Sequence, residues 1–402
     1  MSCTCDRGSR PGVRRSLWSA AAVVAVAAVA AVVVVVVGVR GDDDQPADNG
    51  PGSLVAVTEL PTAATASGKR RMQRASVTYR STSGDGGPTD VTGMVFIPAG
   101  PPPEGGWPVV GVGHPTTGID EECAPSRSPT LRGMLGFVGG LIDRGWAVAV
   151  TDYAGLGTPG PHRYFDHRTA AFNVIDSVRA LRHVYPSASP RWAAFGASQG
   201  GAAVWAADEQ AGGYAPELDL VGAAAIAPAA DMSGLVDKAA AGTMTVDQTR
   251  SLATTVEALA RIHPDLHRDD YRRGAVAQYW DVLTACRGDV EDRRPAAESA
   301  VRPGDLAPAD PEAADRLRAY LQAWSVPQGP LSAPLFVAYG GRDASIDEQW
   351  TRDAVARACS ISGPVESQHQ PDSDHHNVDF AAALTWLADR FADEPVRNTC
   401  AT

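Results

Sequence analysis

Aromatic residues make up only 6% of this 402-residue chain. Its core must therefore be assembled mainly from Ala, Val and Leu, and 40 glycines and 30 prolines point to many loops around it. Positive charge is in short supply as well. The formal net charge is −12, and no basic stripe follows residue 75. Phosphate backbones are bound by basic faces, which argues against nucleic acid as a partner. Neither a CxxC nor an HExxH spacing occurs, so a structural or catalytic zinc has little support. No internal repeat of solenoid-like period is visible, and a stacked-repeat architecture is not expected.

What the chain has in excess is apolar sequence near its start. Residues 17–39, LWSAAAVVAVAAVAAVVVVVVGV, carry no charge. As a helix rising about 1.5 Å per residue they reach roughly 34 Å, enough for a hydrocarbon core of about 30 Å. Arg7, Arg10, Arg14 and Arg15 precede this stretch, and Asp42, Asp43 and Asp44 follow it. The positive-inside rule then leaves residues 1–16 as a cytoplasmic head and exports the rest. The competing reading is a cleaved signal peptide, and cleavage would make the protein secreted. Such a peptide has an apolar region of about 7–15 residues ending at a small-residue cleavage site. Here the run is longer and closes on Val37-Gly38-Val39. The expectation is a single-pass anchor at 17–39, with the cell membrane as partner. No Cys sits just behind it, so a lipoprotein cleavage box is absent.

Residues 40–52 are acidic and rich in breakers, and read as a flexible linker. Cys3 and Cys5 fall on the cytoplasmic side of the anchor, while Cys123, Cys286, Cys359 and Cys400 fall outside. Four cysteines in an oxidising compartment suggest two disulfides, with three pairings open.

From residue 53 to 402 the pattern is that of an α/β fold with a mostly parallel central sheet, helices on both faces and an inserted helical cap. Three strands come first, at 53–59, 75–81 and 91–97. Short apolar runs follow at 107–114, 146–153, 192–197, 220–227, 334–340 and 364–370, as expected of parallel strands buried on both faces. Helical stretches lie between them at about 130–143, 166–184, 199–210, 347–359 and 378–392. Such alternation indicates βα units. Between residues 231 and 328 no strand pattern occurs. Leu252, Val256 and Leu259 share one helix face there, and Leu317, Tyr320, Leu321 and Trp324 share another. Those stripes are ordinary packing faces of a cap over the sheet edge.

The sequence WAAFGASQGG places Gly196, Ser198 and Gly200 in a G-x-S-x-G pattern. Such a match is weak in a Gly-rich chain, but here an apolar strand enters it and an Ala-rich helix leaves it. That strand–turn–helix elbow holds a nucleophilic serine in a strained, exposed turn. Its glycines are needed because a Cβ would strike the neighbouring strand and helix. The bland alternative is a tight turn with a serine N-cap. A serine hydroxyl needs a base, and the base an orienting carboxylate. Gly341-Arg342-Asp343 directly follows the run PLFVAYG, and His375 lies just past the last strand, so Ser198, Asp343 and His375 come in the chain order of the α/β-hydrolases. Asp347 is a rival acid, better suited to capping the next helix. His376 is the fallback base, since adjacent side chains diverge and only one of the two histidines can face the serine. Asp372, Asp374, His375, His376 and Asp379 also invite a metal reading; acids around a loop histidine are common solvent-exposed dressing, and no metal or cofactor is expected. The oxyanion needs two N–H donors. Gln199 supplies one and the loop after 107–114 the other, at Thr117. His114 is expected to pack at its strand end.

GHPTTGIDEECAPS, TDYAGLGTPGPHRY, GASQGG, YGGRDASI and DHHNVDFAAALTWLADRF together resemble the secretory lipase family of α/β-hydrolases, over roughly residues 53–400. The resemblance implies ester hydrolysis on lipid-like substrates, Ser198, Asp343 and His375 as triad, a helical cap, and the disulfides Cys123–Cys286 and Cys359–Cys400. The long apolar anchor and the second histidine depart from the family pattern. The functional expectation is a lipase or esterase acting on an ester substrate outside the cytoplasmic membrane. A peptidase or acyltransferase could use the same triad, and a catalytically silent surface binding module is the rival from another class.

Overall fold

Alternate residues of one strand turn to opposite sides of a sheet, and the apolar runs of this chain are filled on both sides. In the computed structural model, which describes residues 49–286, 289–290, 292–361 and 363–400, Val109 and Ala149 join one core cluster while Val110, Val112, Val148 and Val150 join another. These residues belong to β4 (Trp107–Gly113) and β5 (Ala147–Thr151), both buried almost throughout. Helices cover each face. Val174, Val178 and Leu181 of α2 (His167–Val184) and Trp205 of α3 (Gln199–Tyr214) pack on the first side. Leu141 and Ile142 of α1 (Leu135–Asp143) and Leu384 and Leu387 of α11 (Ala381–Phe391) pack on the second. Each fully buried Val or Leu contributes roughly 1.5–3 kcal/mol of transfer free energy, so neither helical layer is dispensable.

The other strands are β1 (Leu54–Ala64), β2 (Arg71–Thr82), β3 (Pro88–Pro98), β6 (Ala188–Ala197), β7 (Asp219–Ile226), β8 (Leu335–Gly340) and β9 (Val365–Gln370). They form one sheet in the order β1-β2-β3-β5-β4-β6-β7-β8-β9. Pairing is antiparallel from β1 through β3 to β5 and parallel from β5 to β9. The α/β-hydrolase fold class, with its mostly parallel sheet and helices around it, is thus present. Every expected strand appears, the boundaries moving by a few residues. α11 starts at Ala381 instead of 378, because the Asp379 carboxylate accepts from the Ala381 N–H at 2.8 Å and holds the chain out of helix until then.

Between β7 and β8 the described residues hold α4 (Gly234–Ala241), α5 (Val246–Ile262), α6 (Gly274–Gln278), α7 (Trp280–Thr284), α8 (Arg294–Ala300) and α9 (Pro311–Trp324). They share a core of their own, in which Leu252, Val256, Leu259 and Leu317 are fully buried. Ile119, Tyr164, Phe165 and Ile346 reach into it from the sheet's loops. Thr245 caps α5 by accepting from the Gln248 N–H, and Asp310 caps α9 by accepting from Ala313. Cys123 is joined to Cys286 and Cys359 to Cys400, the pairing implied by the family resemblance. The first bond links the loop after β4 to the inserted helices. Beside it, Arg261 of α5 donates to Asp120 at 2.7 Å and to the Ile119 carbonyl at 3.2 Å.

The proposed anchor at 17–39 lies outside the described residues, as do the head and most of the linker. Among the described residues no helix is long and apolar enough to cross a membrane. The linker's end is pinned: the Gly52 N–H donates to the Arg80 carbonyl of β2 at 2.7 Å.

Candidate active site

Parallel strands deliver their following loops to one sheet edge, and here β6, β8 and β9 each deliver one polar side chain. Ser198 stands between β6 and α3 with φ 56° and ψ −120°, a strained conformation for a residue with a Cβ. The turn holds because its N–H donates to the Ile226 carbonyl of β7 at 2.9 Å. A Cβ at Gly196 would strike the backbone of Gly200, and one at Gly200 would strike the backbone of Gly113 on β4. The elbow's glycines are therefore demanded by strand–helix contact on both sides.

Asp343 follows β8. Its Oδ1 accepts from the N–H groups of Ser345 and Ile346, both at 2.8 Å, which leaves Oδ2 aimed at His375. The His375 Nδ1–H donates to that oxygen at 2.7 Å, and the Ser198 hydroxyl donates to Nε2 at 2.9 Å. One tautomer, with its proton on Nδ1, satisfies both bonds. The two side chains are well shielded, 3% exposed for Asp343 and 10% for His375.

His376 is exposed, its backbone N–H donates to Asp374 at 2.8 Å, and it too borders the site cavity, while the bond to Ser198 is made by His375. Asp347 is not held by its own helix α10 (Glu348–Ile361) as a cap; its carboxylate reaches Lys238 at 2.8 Å and Gln248 at 2.7 Å in the inserted helices. A full ammonium charge outcompetes a backbone N–H for it. The acids of the 372–379 segment are also engaged elsewhere: Asp372 with Arg342, Asp374 with the His376 and Asn377 N–H groups, Asp379 with Ala381. Among the described residues the one His/Cys/Asp/Glu set close enough to share a metal is Asp120 with Cys123 and Cys286, and the two sulfurs are consumed by their disulfide.

Gln199 opens α3, so its N–H belongs to the free, partially positive end of a helix beside Ser198. The loop after β4 lies next to it because β4 pairs with β6, Gly113 opposite Gly196. Pro115, Thr116 and Gly118 line the cavity; Thr117 between them is buried. His114 is fully buried, with ring nitrogens 2.7 and 3.1 Å from the carbonyls of Pro115 and Asp152, and does not itself line the cavity.

Sequence reasoning gave no role to His162, in the PGPHRY segment. It is buried, its Nδ1–H donates to the Ala154 carbonyl at 2.9 Å, and its Nε2 accepts from the Gln199 side-chain amide at 3.0 Å. Burial pulls its pKa down to about 4, so the ring stays neutral and keeps an acceptor for Gln199. It thereby fixes the residue whose backbone faces the serine. Nothing local marks such a role; only the contact across the fold does.

The walls above Ser198 come from both regions. Tyr164, Phe165 and Ile226 belong to the sheet and its loops, whereas Arg250, Leu283 and Arg294 belong to the inserted helices, around a cavity of about 450 Å³. This falls within the common size range of small-molecule sites.

With this geometry in view, a family model described as secretory lipase matches residues 131–281, which bears out the resemblance carried by the motifs. A Mycobacterium tuberculosis protein named as a probable inactive lipase is 26% identical over 347 residues, spanning 80% of this chain and 74% of that protein. Lipase 7 of Candida albicans is 34% identical over 129 residues, 29% of each chain. Candida antarctica lipase A in its closed state superposes with a TM-score of 0.69 at 17% identity, covering 89% of this chain and 88% of that one. That likeness shows the fold. Together the family model and relatives support a hydrolase of the lipase and esterase type.

Proposed function

We propose that this chain is a serine-dependent carboxylic ester hydrolase working outside the cytoplasmic membrane. One observation carries the reading: a continuous relay from the Ser198 hydroxyl through His375 to Asp343, at 2.9 and 2.7 Å, opening on a cavity. In this mechanism His375 Nε2 takes the hydroxyl proton as Ser198 Oγ attacks the ester carbonyl carbon. The N–H groups of Gln199 and Thr117 receive the oxyanion. The C–O bond to the leaving alcohol then breaks as His375 returns the proton to that oxygen. Water, deprotonated by the same nitrogen, attacks the acyl carbon, and the acyl–Oγ bond breaks as His375 returns the proton to Ser198 Oγ, releasing the acid. Asp343 stabilises the imidazolium in both halves.

The word inactive in the mycobacterial relative's name belongs to that protein. In this chain the three side chains are complete and in hydrogen-bond contact, which favours catalysis over a silent binding module. Ser198→Ala is expected to lower ester turnover by at least ~10³-fold with the melting temperature little changed. A fluorophosphonate probe should label the natural protein alone, and labelling that persists in Ser198→Ala would remove Ser198 as nucleophile.

The helices 231–328 serve as the cap of this site. For location, the support is the length and flanking charge of residues 17–39, which would retain the domain on the outer face of the membrane, together with two disulfides suited to an oxidising compartment. Carbonate extraction followed by mass measurement should find the intact chain in the membrane fraction. A soluble protein beginning near residue 40 would refute the anchor.

A further inference from the structure

Two cavities meet at one arginine. The first, about 450 Å³, holds Ser198 and His375; the second, about 120 Å³, lies among the inserted helices and is walled largely by Met244, Val246, Leu283, Val301, Pro303 and Leu306. Leu283 and Arg250 border both. Asp247 borders the first alone and Glu298 the second alone, and Arg250 bridges them, 3.4 Å from Asp247 and 3.1 Å from Glu298. The row Asp247–Arg250–Glu298 therefore crosses the wall from one cavity into the other. Helical spacing explains the placement. Asp247, Arg250, Ser251 and Thr254 fall at i, i+3, i+4 and i+7 of α5 and face the first cavity, while Val246 and Thr249 turn to the second. The Ser345 hydroxyl donates to Asp247 at 3.3 Å and ties the row to the loop of Asp343.

An acyl chain seated on Ser198 that grew toward the second cavity would have to displace these partly buried charges or lie against them without water. Charges stripped of solvent and partner are costly. Past the row Met244, Val246, Val301, Pro303 and Leu306 offer apolar wall again, with Thr249 and Arg302 as its polar members, so apolar surface does lie beyond this ion pair.

We infer that the Arg250–Glu298 ion pair is the partition that ends the acyl site, so that the enzyme takes short-acyl esters and the second cavity is an extension closed to it. This rests on the hydrolase reading above. The test measures kcat/KM for p-nitrophenyl butyrate and laurate with the full-length protein, Arg250→Leu and Glu298→Gln. In the natural protein laurate should trail butyrate by about tenfold or more, and Arg250→Leu should raise the laurate-to-butyrate ratio by about tenfold. Glu298→Gln keeps the shape but loosens the arginine, and should move the ratio the same way by less. It carries the test if Arg250→Leu does not fold. A natural preference for laurate, or a ratio unmoved in the variants, overturns the partition while fluorophosphonate labelling of Ser198 still upholds the hydrolase. Absence of both labelling and hydrolysis overturns the two together.

Discussion

The sheet body and the inserted helices hold their buried acids in opposite ways. In the body, burial pushes Asp208 well above the usual carboxylate range, Glu209 up to about 7 and Asp176 up to about 6. Asp208 is fully buried and served by the N–H groups of Ser332 and Ala333 at 2.9 and 2.8 Å. In the helices, burial would raise Glu257 too, but hydrogen bonds from Arg268, Trp280 and Arg261 outweigh it and hold the carboxyl at about 2. Those donors stand at 2.6, 2.7 and 2.9 Å. A sheet layered by helices on both faces excludes water well enough to raise an acid served by backbone donors, as at Asp208, and even Asp176, which keeps Arg179 at 2.8 Å, is raised there. The helical insertion is a thinner layer and is knitted by a charged hub. The signs follow. Glu257, depressed when folded, adds stability that is present above about pH 4.5 and lost as pH falls toward 2. The raised body acids favour the folded state below about pH 4, and that contribution is lost as pH rises through 6 to 7.

The sharpest contrast concerns where the chemistry sits. All three relay residues come from the body, so His375→Ala should resemble Ser198→Ala, a loss of at least ~10³-fold in ester turnover, while His376→Ala costs little. Equal, mild losses from both would deny the base to either. Next in size is the bond between the regions. Cys286→Ala should lower stability by about 2–4 kcal/mol and also reduce kcat/KM, because the helices that wall the cavity would no longer be held over Ser198. Calorimetry paired with kinetics reads both, and an unchanged melting temperature would mean that packing and the Arg261–Asp120 pair suffice. Smallest is the acid comparison. Glu257→Gln should cost about 2 kcal/mol at neutral pH and flatten the fall in stability between about pH 5 and 2, whereas Glu209→Gln should flatten the change on the way up to pH 7. Urea unfolding across that pH series decides it; identical profiles for the two variants would erase the distinction between the regions.

Much of this molecule was legible from one dimension. Uninterrupted apolar runs such as 107–114 and 146–153 announce strands buried on both faces, and Ser198, Asp343 and His375 each sit just past such a run. Asp347 was read poorly. Its position before α10 suggests a cap, but Lys238 and Gln248, about a hundred residues earlier in the chain, take its carboxylate. His162 was invisible for the same reason, since its meaning lies in a bond to Gln199 across 37 residues.

By itself, then, the sequence determined the strand and helix pattern, the glycine-flanked elbow and the chain order of the relay. Each of these is written in runs of a few neighbouring residues, where hydrophobic period and steric need are local. The tertiary structure alone decided that His375 and not His376 faces Ser198, 177 residues away. It also decided that Gln199 is braced by His162, and that a row of three charges divides two cavities. Those outcomes depend on which strands lie side by side and which helix is docked over them, and distances of that kind are set only once the whole core has packed.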